Sequence, residues 1–482
     1  GGGFLLGYDA KGNAIALDYR EKAPARSYRD MYLDAAGNAQ TQLSQNGHLA
    51  SGVPGTVAGL FATMKHAKLP FKKLIQPAIE LAEKGFVLTE SEAKSLNNTM
   101  QSFVLYNTMP NVFIKFGGWK TGDTLVQPDL AKTLERIRDQ GQKGFYEGIT
   151  AGLIVAEMKR GGGIISLDDL KAYQAVERKV MRSTYKGYTI LGMPLPSSGG
   201  IIIEQLLGMT TPFNIANMGF HSAHAVQLMI EAERRAYADR AALLGDADFV
   251  KVPMEAISSA AYYQQRMQNF KQGVANTSDQ IRAGVAAPES EETTHLSVYD
   301  ASGNAVAVTT TLNGGYGSRT VVGGAGFLLN NEMDDFSIKP GVPNMYGALG
   351  TNANAIAPGK RMLSSMTPTI VLKDNKPYLV IGTPGGTTIP TSVFQTIVNI
   401  LDFNLSTEDA VWKPKFHHQW QPDVVYVEKG FPTETAEKLK AMGYKIIERG
   451  AIGRTEVIKI TNGKIEAVAD NRGDDHAEGF AP

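Results

Sequence analysis

The sequence predicts an α+β fold in which helical layers cover antiparallel sheet, and three observations carry that prediction. A hairpin pattern occurs twice: Tyr8-Asp9-Ala10-Lys11-Gly12-Asn13-Ala14-Ile15-Ala16-Leu17 matches Tyr299-Asp300-Ala301-Ser302-Gly303-Asn304-Ala305-Val306-Ala307-Val308 almost residue for residue. Between the copies, apolar residues recur at three- and four-residue steps, the period of amphipathic helices. Beyond the second copy, Tyr378-Leu379-Val380-Ile381 reads as a buried strand that runs through glycines into another helix.

Taken in order, residues 5–19 form the first hairpin, and its likeness to the second predicts two stacked or adjoining sheet halves. Helical periodicity then covers Thr56 to Lys65, Pro77 to Lys84 and Leu130 to Arg138. Ser166-Leu167-Asp168-Asp169 is a capping-box start. Tyr188-Thr189-Ile190-Leu191 reads as a strand leading into Pro194-Leu195-Pro196-Ser197-Ser198-Gly199-Gly200 and a helix, and Ala223 to Leu244 as a further helix. The segment Gly284-Val285-Ala286-Ala287-Pro288-Glu289-Ser290 has the small, polar composition of a surface linker. After Ile381, Gly382-Thr383-Pro384-Gly385-Gly386 precedes a helix from about Ile389, and strands around Lys445-Ile446-Ile447 and Val457-Ile458-Lys459-Ile460 are expected to finish the sheets.

The turn of the second hairpin fixes its register. Ala301-Ser302-Gly303 suits a three-residue loop with glycine at the left-handed position, so Asp300 faces Asn304, 299 faces 305, 297 faces 307, and Thr293 faces Thr311. Opposed β-carbons lie roughly 4.5–5.5 Å apart, which brings two hydroxyls together at the open end. Two readings of Thr293 stand on pattern alone. It opens a strand, as β-branched residues do, or, if the chain is cut before it, its new α-amine serves as the base for its own hydroxyl. Arg20 occupies in the first hairpin the place of Thr311 in the second, where a guanidinium can hold a carboxylate bidentately or simply be solvated. The glycines 385 and 386 suit a tight turn or an oxyanion hole; neither the Walker pattern nor GxGxxG is present.

Composition bounds the function. The 482 residues are 43% hydrophobic, enough for a large core, and length alone suggests two to four domains. Lys+Arg and Asp+Glu are both 48, so nothing argues for nucleic acid or an anionic membrane as partner. There is no cysteine, which excludes disulfides, thiolate metal sites and a cysteine nucleophile. No apolar run reaches the roughly 18 residues of a membrane span. His221 and His224 lack a third ligand and read as helix-start residues, while the adjacent His417 and His418 point apart on a strand. No metal and no cofactor are expected.

Five separated blocks carry a resemblance: Thr293-Thr294-His295; Thr311-Leu312-Asn313; Asn330-Asn331-Glu332-Met333-Asp334-Asp335-Phe336; Leu363-Ser364-Ser365-Met366; and Gly382-Thr383-Pro384-Gly385-Gly386. In order and spacing they resemble the small subunit of γ-glutamyltranspeptidase. Tyr19-Arg20-Glu21 and Pro196-Ser197-Ser198-Gly199-Gly200 resemble the large subunit of the same family. The resemblance implies the four-layer αββα sandwich of the N-terminal-nucleophile hydrolases. It implies autocatalytic cleavage between Glu292 and Thr293, splitting one precursor into 1–292 (with a tail from about 284) and 293–482, the two intertwined as one domain. It further implies γ-glutamyl transfer from glutathione and other γ-glutamyl compounds to water or to amino-acid and peptide acceptors.

In the implied site Thr293 is the nucleophile, Thr311 orients it, and Gly385 and Gly386 hold the oxyanion. Arg20, Ser364 and Ser365 bind the substrate carboxylate; Glu332, Asp335 and Asn313 bind its ammonium; Tyr346, in a lid-like loop from Pro340, closes over it. The chain starts Gly1-Gly2-Gly3-Phe4 without methionine. Relative to the family, an N-terminal portion of the large subunit is expected to be missing and any export signal with it, so a periplasmic or secreted location is expected. Two other readings remain: a cephalosporin or glutaryl acylase of the same superfamily, which lacks the amine-binding acid and lid, and an uncleaved binding or scaffold relative.

Overall fold

The computed structural model describes residues 1–281 and 293–480. Glu292 and the expected tail from about 284 lie outside the described residues.

The two hairpins form in the same way because their turns share the same chemistry. Asp9 N–H donates to the Asn13 carbonyl at 2.9 Å and Asp300 N–H to that of Asn304 at 3.0 Å. Gly12 and Gly303 take φ of +90° and +92°, where a side chain would be strained. In each turn the aspartate side chain accepts two backbone N–H groups, from Lys11 and Asn13 and from Ser302 and Asn304.

The copies adjoin rather than stack. One five-stranded sheet runs Val176–Arg178, Ala14–Asp18, Gly2–Tyr8, Ala305–Thr311, Thr294–Tyr299. The hairpins join where Gly2–Tyr8 pairs antiparallel with Ala305–Thr311. Within the second hairpin 299 pairs with 305, 297 with 307 and Thr294 with Thr310, the register that the turn predicts.

A six-stranded antiparallel sheet stacks on the first, in the order Lys464–Val468, Glu456–Thr461, Lys376–Gly382, Thr369–Lys373, Tyr188–Gly192, Met181–Tyr185. Its central strand is apolar on both faces because both are buried. Val380 packs between the sheets with Phe4, Leu6 and Ala307, while Leu379 and Ile381 face Leu206, Val393 and Phe394 of the helices Gly199–Thr210 and Thr388–Leu401. On the other side the helix Thr56–Thr63 lies against the five-stranded sheet so closely that a Cβ on Gly59 would come within 2.4 Å of the Tyr19 ring. Helices Phe71–Lys84, Pro128–Gln140 and Gly148–Gly161 share a core behind it. Helix, sheet, sheet and helix make four layers, the sandwich expected.

Some local expectations are corrected. The helix expected from Pro77 begins at Phe71, with Pro77 inside it; proline's preference for the first helical turn suggested the later start, but Phe71 is held by packing on Phe61, with ring centroids 4.3 Å apart. The strand Ile446–Arg449 does not finish a main sheet. The helix Thr433–Ala441 carries the chain over from Val425–Glu428, and the two strands pair in parallel in a separate three-stranded sheet. His417 and His418 do diverge, His417 to Thr391 and Gln419, His418 to Asp423.

Candidate active site

Strand parity decides what the open end of the sandwich presents. In Thr294–Tyr299, His295 is buried between the sheets while Leu296 and Val298 are exposed. In Ala305–Thr311, residues 305, 307 and 309 are the buried ones. With period two, Thr293 and Thr311 belong to the inward set. The next step of the register beyond Thr294 and Thr310 sets them opposite each other. Gly382, at the end of the central strand, is where His295 enters; a Cβ there would meet the imidazole at 2.1 Å. Burial lowers the His295 pKa to about 3, and the neutral ring pairs with the Thr309 and Ser297 hydroxyls at 2.8 and 3.1 Å.

Thr293 lines a narrow pocket, together with Thr311, Asn313, Arg20, Asp335, Ser364, Ser365, Tyr346 and Gly386. Gly385 lines a neighbouring, more open cleft that also reaches Thr293. Of the predicted site residues, Glu332 alone among those described lines neither space. It is fully buried behind Arg20, accepting a hydrogen bond from its guanidinium.

The turn Glu332–Asp335 explains that arrangement. It is a 3₁₀ helix, in which residues three apart lie on one face, and both carboxylates meet one guanidinium. Arg20 Nη1 donates to Glu332 Oε2 at 2.5 Å and Nη2 to Asp335 Oδ2. Glu21 lies 3.9 Å from the same Nη1. Burial works against the Arg20 charge, but these carboxylates outweigh it and hold the pKa above the usual arginine value. Burial raises the Glu332 carboxyl and, opposed by Arg20, that of Asp335. Glu332 is held against Arg20, while Asp335, 13% exposed, stands at the pocket wall.

Two serine segments form another wall by running side by side. Ser197 bridges Ser364 in parallel, and Ser198 N–H donates to the Ser364 carbonyl at 2.8 Å. Asn313 takes φ of +75°, a conformation asparagine tolerates, and its Nδ2 donates to the Asn331 carbonyl at 3.1 Å. The loop 340–346 closes the top. Tyr346 is buried, its hydroxyl donates to the Asn313 carbonyl, and its ring lies where a Cβ on Gly386 would come within 2.8 Å. Gly386 itself sits at φ +55°.

The family model for γ-glutamyltranspeptidase matches residues 1–480. The chain belongs to the γ-glutamyltranspeptidase family. It is similar to the glutathione hydrolase proenzyme of Escherichia coli K12, 48% identical over 487 residues that cover 100% of this chain and 84% of that relative. Among solved structures, the cephalosporin acylase from Bacillus halodurans superposes with a TM-score of 0.86 at 25% identity, covering 99% of this chain and 87% of that one. The γ-glutamyltranspeptidase of Helicobacter pylori gives a TM-score of 0.57 at 40% identity, covering 59% of this chain and 82% of that one.

Sequence reasoning missed several residues in and around this pocket. Asn344 donates to Asp335 Oδ1 at 2.9 Å and fixes that carboxylate from the lid side. Asn330 clamps Gly52 through both its amide groups. Arg240, on the helix Ala223–Leu243, reaches the pocket from below. Its signal was the density of charge in Glu231-Ala232-Glu233-Arg234-Arg235-Ala236-Tyr237-Ala238-Asp239-Arg240, all of it buried; charges are buried only where they are paired or used.

Asp334 holds the loop 340–346, accepting Met345 N–H at 2.6 Å and contacting Ser44 Oγ at 2.5 Å. Burial pushes its carboxyl from 3.8 up to about 7. A carboxyl whose pKa is raised on folding contributes stability in full below its unfolded pKa, and that contribution is lost as pH rises through the folded value. The window is therefore from 3.8 to about 7. The unfolding free energy of the wild type, measured against Asp334→Asn by urea titration, should fall across that window and level off above it. A difference independent of pH would show that folding leaves the pKa of this carboxyl unchanged.

Proposed function

We propose that this chain is a precursor that cleaves itself before Thr293 and then transfers γ-glutamyl groups. The observation that carries the proposal is that Thr293 lines one pocket with Thr311, Arg20, Asp335, Ser364, Ser365 and Gly386. In maturation, the Thr293 hydroxyl adds to the Glu292 carbonyl, the peptide nitrogen leaves as the new α-amine, and water hydrolyses the resulting ester. Residues 1–292 and 293–482 then remain interleaved. In support, strands from both portions share each of the two main sheets: Gly2–Tyr8 pairs with Ala305–Thr311, and Tyr188–Gly192 with Thr369–Lys373.

In turnover, the freed α-amine takes the proton of the Thr293 hydroxyl as the oxygen attacks the γ-carbonyl of the donor. The oxyanion is assigned to the backbone N–H groups of Gly385 and Gly386, at the start of the helix Thr388–Leu401. Each such donor is worth about 2.7–4 kcal/mol. The leaving amine takes the proton, and a γ-glutamyl ester on Thr293 passes to water or to an amino-acid or peptide amine. Thr311 orients the nucleophile. Asp335, with Asn313, receives the substrate ammonium, since one Arg20 charge faces the carboxylates of Glu21, Glu332 and Asp335; Ser364 and Ser365, with Arg20, receive the α-carboxylate. Tyr346 keeps bulk water from the ester. Glutathione is the donor class that the name of the Escherichia coli relative suggests, and the bacterial relatives support placing the protein in the periplasm or outside the cell.

The test is the mass of the purified chain under denaturing conditions. Wild type should give two fragments, the smaller beginning at Thr293, and Thr293→Ala one uncut chain without γ-glutamyl transfer. Cleavage persisting in the purified variant would rule out self-processing by this hydroxyl.

An acylase acting on glutaryl amides has no ammonium to bind, and Asp335 separates the two substrate classes. Asp335→Asn should weaken γ-glutamyl donors by about 1.5–3 kcal/mol, the range of a hydrogen bond to a charged group, and leave any glutaryl amide turnover nearly unchanged. Equal losses on both would make Asp335 structural rather than selective.

A further inference from the structure

Arg240 touches two serines at once. Its Nε donates to Ser198 Oγ at 3.1 Å and its Nη2 to Ser365 Oγ at 2.9 Å. A guanidinium has donors only, so each serine oxygen it contacts must accept, and the hydroxyl hydrogen must turn elsewhere. For Ser198 that hydrogen goes to the Ser364 carbonyl, at 2.7 Å. Ser365 lines the pocket, and its hydrogen turns away from Arg240. Ser364 is treated in the same way, its Oγ accepting Met366 N–H at 3.1 Å. Two hydroxyls are thus set as donors on one wall with a buried positive charge behind them. The other guanidinium of the pocket, Arg20, is held between Glu332 and Asp335. The pocket is therefore polar across its width, acidic at Asp335 and donor-lined at Ser364 and Ser365.

We infer that Arg240 is a positioning residue that gives the pocket its preference for donors with a free α-carboxylate, by fixing the Ser365 hydroxyl as a donor and setting its own charge behind it. The inference rests on the γ-glutamyl reading of the site. Lysine cannot replace it fully, because an ammonium is a point charge where the planar fork reaches Ser198 and Ser365 together.

The test compares γ-glutamyl-p-nitroanilide with its α-carboxamide counterpart on matured wild type, Arg240→Gln and Arg240→Lys. Arg240→Gln should raise KM for the carboxylate donor tenfold or more, with kcat within about threefold, and leave KM for the carboxamide within twofold. Arg240→Lys should fall between. Equal changes for the two donors, or none, overturn the inference. If Arg240→Gln fails to mature, Arg240→Lys decides alone: it must raise KM for the carboxylate donor at least threefold without moving the carboxamide. Wild-type turnover of the anilide checks the underlying reading separately. A wild type that matures but leaves the anilide intact refutes the γ-glutamyl assignment, whereas an active wild type with unselective variants refutes only the role of Arg240.

Discussion

One buried guanidinium joins the two halves of this protein at the place where chemistry is expected. Arg20 ends the first hairpin, and its contacts to Glu332 and Asp335 tie that hairpin to a turn more than three hundred residues away. Removing one partner of such a buried pair typically costs about 3–5 kcal/mol, because the other charge is left uncompensated. The pairing also aims Asp335 at the pocket, and Asp335 in turn holds the lid through Asn344. Sheet, pocket wall and lid therefore depend on one another through a single side chain.

Much of the framework was legible in the sequence because it is local. The Asp-x-x-Gly-Asn turns set the register of both hairpins, and counting outward from the second turn set Thr293 opposite Thr311. The buried run Leu379-Val380-Ile381 gave away a strand covered on both sides. Local signals also misled. Pro77 looked like a helix start, and only the contact between Phe61 and Phe71 explains why the helix begins earlier.

The site was less legible, since roles depend on partners distant in sequence. Glu332 and Asp335 look equivalent in Glu-Met-Asp-Asp; burial behind Arg20 separates them, and the sequence does not carry burial. Arg240 was hidden for the same reason. Its neighbours Ser198 and Ser365 lie 42 and 125 residues away, one beyond the strand Tyr188–Gly192 and the other ahead of the strand Thr369–Lys373. The resemblance to the transpeptidases supplied the carboxylate and ammonium assignments, and the structure adds that Arg20 contacts both acids.

The central claim is that one threonine hydroxyl, opposed to Thr311 at the mouth of the sandwich, carries the acyl group. Acid quenching of matured enzyme within milliseconds of mixing with a γ-glutamyl donor, followed by peptide mass spectrometry, tests it most directly. The account predicts the mass of one γ-glutamyl group on the peptide that begins with Thr293 and on no other. A γ-glutamyl group on a different residue, or turnover without any covalent adduct on the Thr293 peptide, would contradict it.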